Sequence, residues 1–236
     1  MSVVRETWCA HLGDELSFWD DYLRTRGGEW PDEFAQRVNP DAPLIEMAIV
    51  NRIRPGRRRA RILDVGAGPL TILGKQLPGV TLDIIAVDPL ADSYNELLER
   101  HGIIPPAKTR WCEGEKLAAK FKPDSFDFAY ARNALDHAHD PLIVIEQMVT
   151  LVKPGGWVIL RHRPNEAETA AYTGLHQWNF ELVDGRFRVR SREAEHDVSA
   201  ALDRVAQVDC TRDGQWLLCA FRKRTTLERL WRRIVR

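Results

Sequence analysis

From residue 61 onward, short apolar runs alternate with stretches of helical spacing. The runs are Arg61–Val65, Leu82–Val87, Thr109–Cys112, Phe126–Ala131 and Trp157–Leu160. Each is short and rich in Ile, Val, Leu or aromatic residues, as a strand buried on both faces should be. Helices are expected between them at about residues 69–77, 92–101 and 140–152. Strand–helix alternation predicts an α/β fold, doubly wound, with a mostly parallel sheet and right-handed crossovers. Residues 163–203 break the alternation as an insert, with a turn at Asp184-Gly185 between FELV and RFRVR. The chain then predicts strands at Val205–Cys210 and Trp216–Arg222, joined at Asp213-Gly214 as an antiparallel hairpin.

The first sixty residues read differently. Leu12, Leu16, Trp19 and Leu23 recur at helical spacing, with Trp8, Phe18, Trp30 and Phe34 on the same stretch. Pro31 is placed to open a short helix after Gly27-Gly28, and Leu44–Arg54 reads as another helix. The layout expected is a helical lid on the substrate side over 1–60, a core domain over 61–224, and a basic amphipathic helix over 225–236. That last helix carries Leu227, Leu230, Trp231 and Ile234 on one face among arginines. It suits docking on the protein, a homodimer, or peripheral contact with an anionic membrane surface.

Composition narrows the classes. A chain of 236 residues with 44% hydrophobic content suits one α/β domain. Basic and acidic residues number 34 each, so no general attraction to nucleic acid is expected. The run Arg57-Arg58-Arg59 with Arg61 is a solvated rim or a phosphate patch. Cys9, Cys112, Cys210 and Cys219 form no CxxC pair, which argues against structural zinc and against a disulfide-stapled secreted fold. The N-terminal stretch has no signal-peptide pattern and no apolar run is long enough to span a bilayer, so a cytoplasmic location is expected.

The chemistry concentrates at strand ends, where open parallel sheets bind ligands. Residues 61–68 read RILDVGAG. Gly66 and Gly68 permit a tight turn and close backbone approach, and a helix starting at Pro69 would offer its N-terminal N–H groups to an anion. Asp88, followed by Pro89, ends the second strand 22 residues beyond Gly66 and is placed to accept from ribose hydroxyls. A dinucleotide wants G-x-G-x-x-G, but the third position here is Thr71. S-adenosylmethionine, with its ammonium, carboxylate and ribose, suits the loop better. An NAD(P)-dependent oxidoreductase and a non-catalytic nucleotide-binding module remain the alternatives.

The ordered set ILDVGAG, IIAVDP, WCEGEKL, DSFDFAYARNALDHAHDP and LVKPGGWVIL resembles the class I S-adenosylmethionine-dependent methyltransferases, in particular the small-molecule type with a seven-stranded, Rossmann-like sheet. The resemblance covers about residues 60–162, and the terminal hairpin agrees with the last strands of that fold. It implies that Asp64, Gly66 and Gly68 underlie the methionine part and that Asp88 holds the ribose. It also implies that Glu113 and Gly114 meet the adenine and that Ala131 and Arg132 line the methionine end with backbone. No Asn/Asp-Pro-Pro-Tyr motif follows the fourth strand, where ARNA stands, so a small-molecule acceptor is expected rather than nucleic acid.

In that family a histidine at the place of His137 often faces the acceptor. His137 is the first candidate for general base, with Asp136 or Asp140 to orient it; His176 in the insert is the second. Trp178 and Asn179 would form an acceptor wall suited to a sugar or other hydroxylated substrate, or else staple the insert down. Metal is not expected, because D-H-A-H-D crowds its ligands too closely to present them together. The function implied is methyl transfer to a small hydroxylated acceptor, at oxygen.

Overall fold

The computed structural model describes Trp8 and residues 10–234, with side chains as far as residue 230. The expectations for the first residues, for Cys9, for the Trp231 and Ile234 side chains and for residues 235–236 lie outside the described residues. The chain divides into two compact units, Met1–Glu113 and Gly114–Arg236.

In the first unit come α1 (Leu12–Arg24), α2 (Pro31–Val38), the short α3 (Met47–Val50), β1 (Arg59–Val65), β2 (Thr81–Asp88), α4 (Ala91–Arg100) and β3 (Arg110–Trp111). β1 and β2 pair in parallel from Arg59↔Thr81 to Val65↔Val87, and β3 joins the other edge of β2. Ile62 and Leu63 are wholly buried, as an apolar run between two layers requires. The N-terminal helices share one core with α4: Tyr22, Leu23 and Phe34 pack with Leu70, Tyr94 and Leu97. Pro31 opens α2 as expected.

Two expectations fail here for one reason. No helix forms over 69–77, and the helix expected over 44–54 is only α3 long. The backbone of both segments is engaged elsewhere. Lys75 and Gln76 donate their N–H groups to the Ala42 carbonyl at 2.7 and 3.0 Å, and Leu44 N–H donates to the Gln76 carbonyl at 2.8 Å. Gly74 permits this approach, since a Cβ there would meet the Pro43 carbonyl oxygen at 1.8 Å. Cross-chain pairing of extended backbone thus replaces the helical ladder.

The second unit holds a 3-10 turn (Gly114–Lys116), α5 (Leu117–Lys120), β4 (Phe126–Arg132), a second 3-10 turn (Leu135–His137), α6 (Pro141–Leu151) and β5 (Val152–His162). The insert supplies α7 (Glu166–Thr169), β6 (Asn179–Val183), β7 (Arg186–Arg190), β8 (Glu195–Asp197) and α8 (Val198–Leu202). The chain ends with β9 (Ala206–Asp213), β10 (Trp216–Lys223) and α9 (Thr226–Ile234). β4 pairs in parallel with β5, while β10 runs antiparallel to both β5 and β9. The seven-stranded sheet has the order β3-β2-β1-β4-β5-β10-β9, and β6-β7-β8 form a small antiparallel sheet of their own. The expected mostly parallel sheet with an antiparallel terminal hairpin is therefore what the chain forms.

The hairpin register sets Cys210 directly opposite Cys219, with Cα atoms 4.1 Å apart, and joins them in a disulfide. Scanning for CxxC spacing missed this pair, because the ladder and not the spacing brings it together. Leu227 and Leu230 of α9 are exposed. Among the described residues, no helix is long and apolar enough to cross a membrane.

Candidate functional site

In the first unit, β1 delivers Asp64 to its buried tip, where it accepts a hydrogen bond from the Thr71 hydroxyl. Thr71 Oγ1 in turn accepts from Leu73 N–H at 3.1 Å. Gly66 and Gly68 have φ of +68° and +63°, the left-handed region that favours glycine. Gly66 and Ala67 donate to the Val87 carbonyl at 2.9 and 3.1 Å. Asp88 is buried at the tip of β2; its Oδ2 accepts from Gly68 N–H at 3.1 Å and its Oδ1 from Leu90 N–H at 2.9 Å. Thr109 donates to the Gly68 carbonyl at 2.8 Å. The loop is therefore held by its own chain on several sides.

No helix follows this loop, so the expected capture of an anion by a helix N-terminus has no basis here. Thr71 accounts for the change locally, because its side chain takes the place of a helical bond. What the loop does offer is a fixed carboxylate beside bare main chain. A carboxylate has about four lone-pair sites, so Asp88 suits the diol of a ribose. Pro89 follows it, half-buried, and Glu113 is buried just beyond β3.

Sequence reasoning missed the roof of this loop. The Trp19 ring of α1 stands over Gly68; its Nε1 donates to Glu15 at 2.7 Å and the Arg37 guanidinium lies 5.5 Å from its ring centre. The apolar stripe on α1 contained Trp19, but nothing local showed what it would cover.

In the second unit, Gly114 opens the first 3-10 turn against Val144, whose methyl groups a Cβ would meet at 2.9 Å. Ala131 is wholly buried in β4. Arg132 and Arg163 both lie over Trp216, at 5.1 and 5.5 Å from its ring centre.

His137 and His176, 39 residues apart in the chain, meet on Asp136. His176 Nδ1 lies 2.8 Å from Asp136 Oδ2, His137 Nε2 lies 3.3 Å from the same oxygen, and the two ring nitrogens are 3.2 Å apart. Asp136 is 1% exposed. Burial raises its pKa, but His137, the hydrogen bond from His176 and His162 outweigh that and hold the carboxyl below the usual range. His162, at the end of β5, is also buried, with Nδ1 3.9 Å from Asp136 Oδ1 and its ring stacked 4.3 Å from Phe180. Burial, the largest effect, pushes its imidazole well down against the opposing pull of Asp136. His162 was not singled out from the sequence; a polar residue at the end of an apolar strand is the signal that could have found it.

Asp140, the other acid named beside His137, caps α6, accepting from Ile143 N–H at 3.0 Å. Glu115, another residue passed over, clamps the segment that follows. Its Oε1 accepts from the N–H groups of His139 and Asp140, both at 3.1 Å, and it pairs with the His139 ring.

Trp178 and Asn179 belong to the insert's interior rather than to an open wall. Asn179 is fully buried; its Oδ1 accepts from Glu168 N–H at 3.0 Å and its Nδ2 donates to the Tyr172 hydroxyl at 2.9 Å. Trp178 is buried with its ring 5.8 Å from that of His196.

With this geometry, the chain can be set beside known proteins. A family model described as a methyltransferase domain matches residues 45–233. The ubiquinone biosynthesis O-methyltransferase of Paraburkholderia phymatum is 36% identical over 100 residues, 42% of this chain and 42% of that protein. The protein of the same name from Albidiferax ferrireducens is 34% identical over 125 residues, 52% of this chain and 46% of its own. The chain thus spans less than half the length of these relatives. Among solved structures, the CurJ carbon methyltransferase superposes with a TM-score of 0.54 at 18% identity, over 77% of this chain and 53% of that one. An O-methyltransferase family protein from Burkholderia thailandensis gives 0.52 at 14% identity, over 92% and 62%. These two likenesses are of fold.

Proposed function

The chain belongs to the methyltransferase-domain family, as a class I S-adenosylmethionine-dependent enzyme, and from that premise we propose that it methylates an oxygen of a small hydroxylated acceptor. When bound, S-adenosylmethionine supplies a sulfonium methyl group. On the first unit, the Gly66–Gly68 main chain would underlie its amino-acid part, Asp88 would take its ribose hydroxyls, and Glu113 would receive its adenine. The fit rests on the positive φ of both glycines and on a buried carboxylate fixed at the tip of β2.

A neutral hydroxyl must lose its proton as it attacks. The single observation that carries the base assignment is the convergence of His137 and His176 on buried Asp136. His137 Nε2 takes the proton, and Asp136 Oδ2, 3.3 Å away, balances the charge. A base placed this way contributes roughly 10²–10⁴-fold. The name of the relatives supports oxygen as the atom methylated. Trp178 and Asn179 have no part in the proposal.

The test is transfer of labelled methyl from S-adenosylmethionine to two panels, phenols with hydroquinones and free sugars, followed by mass spectrometry of the product. Methylation at oxygen, with His137→Asn lowering kcat by about 100-fold or more at unchanged S-adenosylhomocysteine affinity, is the expected result. Methylation at nitrogen or carbon, or a His137→Asn variant as fast as the parent, overturns it.

A further inference from the structure

Three donor atoms in the second unit form a small triangle. Its edges are 2.8 Å (His176 Nδ1 to Asp136 Oδ2), 3.2 Å (His137 Nε2 to His176 Nδ1) and 3.3 Å (His137 Nε2 to Asp136 Oδ2). A tetrahedral ion bound through nitrogen and carboxylate oxygen at about 2.0–2.1 Å has ligand edges of about 3.3 Å. The triangle is one face of that tetrahedron, slightly contracted.

Proton accounting points the same way. A neutral imidazole nitrogen carries a proton or a lone pair, not both. His176 Nδ1 has one proton to place between two acceptors. If His137 Nε2 is protonated as well, two N–H groups aim at one carboxylate oxygen and at each other. A cation at the centre satisfies all three atoms at once. The surroundings agree: Asp136 is buried, and among the described residues its Oδ1 has no hydrogen-bond partner and both nitrogens of buried His162 have none. His162 Nδ1, 3.9 Å from Asp136 Oδ1, is positioned to steady the far side of a ligating carboxylate.

We propose that Asp136, His137 and His176 bind one divalent cation of the zinc class. Two imidazoles and one carboxylate favour zinc or its neighbours over magnesium and calcium, which prefer oxygen ligands. The local run D-H-A-H-D argued against metal through crowding. That objection does not apply, because only Asp136 and His137 come from the run and His176 arrives from the insert. On binding, three coordinate bonds form and the proton on His176 Nδ1 leaves to solvent. This inference rests on the base reading for its consequence alone: a cation here occupies the lone pairs the base needs, so transfer slows as the site fills.

The experiment uses the full chain, stripped with a chelator and titrated with Zn²⁺ by calorimetry and with Co²⁺ by visible absorption. Expected are one ion per chain with micromolar or tighter binding, the intense visible bands of tetrahedral Co²⁺, and loss of more than about 100-fold in affinity in His176→Gln and His137→Gln. Both histidines are partly exposed, so these variants should fold; circular dichroism and S-adenosylhomocysteine titration check it. Should one fail, Asp136→Asn serves in its place. An octahedral Co²⁺ spectrum, or affinity unchanged in the variants, overturns the proposal. Because the titration needs no acceptor, its failure leaves the base reading standing, and failure of His137→Asn to slow transfer leaves the metal site standing.

Discussion

Trp19 roofs Gly68: a Cβ added to that glycine would lie 2.7 Å from Trp19 Cζ2 and 3.1 Å from Cε2. One helix face and one strand-end loop are thereby locked together within the first unit. The contact explains why the loop tolerates no side chain at Gly68, quite apart from its φ of +63°.

Gly68→Ala should therefore suffer twice. Backbone strain of about 1 kcal/mol or more from positive φ adds to displacement of the Trp19 ring. Chemical denaturation should show a loss of about 2–3 kcal/mol, in the range of overpacking costs, and calorimetry a fall in S-adenosylhomocysteine affinity. Adding Trp19→Ala removes the clash and leaves only the backbone strain. A double variant less stable than the sum of the two singles would contradict this account.

Asp88 organises the loop through Gly68 and Leu90. Asp88→Ala leaves two backbone N–H groups without their acceptor, which costs about 1–3 kcal/mol for each one that stays buried and unsatisfied. Affinity for S-adenosylhomocysteine should drop by about tenfold or more, the equivalent of one net hydrogen bond to a charged group. Near-parental affinity in a folded variant would remove Asp88 from the ribose site.

Thr71→Val keeps the shape and removes both the donor to Asp64 and the acceptor for Leu73 N–H. Asp64 is 2% exposed, so its carboxylate loses a partner in a dry place. Urea unfolding should give a loss of about 1–3 kcal/mol. Restoration by Thr71→Ser would show that the hydroxyl, not the methyl, matters.

Glu115 fixes the segment after His137 and carries a pH signature. Burial raises its pKa, but its hydrogen bond and charge pairing with His139, with the backbone donors, bring it below the ordinary 4.5. The folded state thus binds fewer protons than the unfolded state in that window. Its contribution to stability is present above pH 4.5 and is lost as pH falls through the lower folded value. Melting temperatures from pH 6 down to about 3 should decline more steeply in the parent than in Glu115→Gln. Parallel profiles would contradict the pairing.

Much of the fold was legible because it is written in local periodicity. Alternating apolar runs placed β1, β2 and β4 within two residues of their ends, α4 and α6 within one, and the terminal hairpin at its glycine turn. Positive φ at Gly66 and Gly68, and the spacing to Asp88, are likewise properties of short segments. The histidine cluster of the second unit was legible only as residue types: His137 and His176 were named, but not their meeting on Asp136.

The sequence by itself determined the strand–helix alternation and the glycine loop, since steric limits on backbone and the need to bury one face act between near neighbours, while the class of chemistry came from the resemblance its motifs carry. Tertiary structure alone decided that 69–77 is not helical, because the Lys75 and Gln76 N–H groups go to the Ala42 carbonyl. It also decided that Trp19 covers Gly68, that Cys210 faces Cys219, that Asn179 is interior, and that an imidazole from the insert closes on Asp136. Those outcomes depend on hydrogen-bond and packing partners distant along the chain, and no local pattern encodes which partner will arrive.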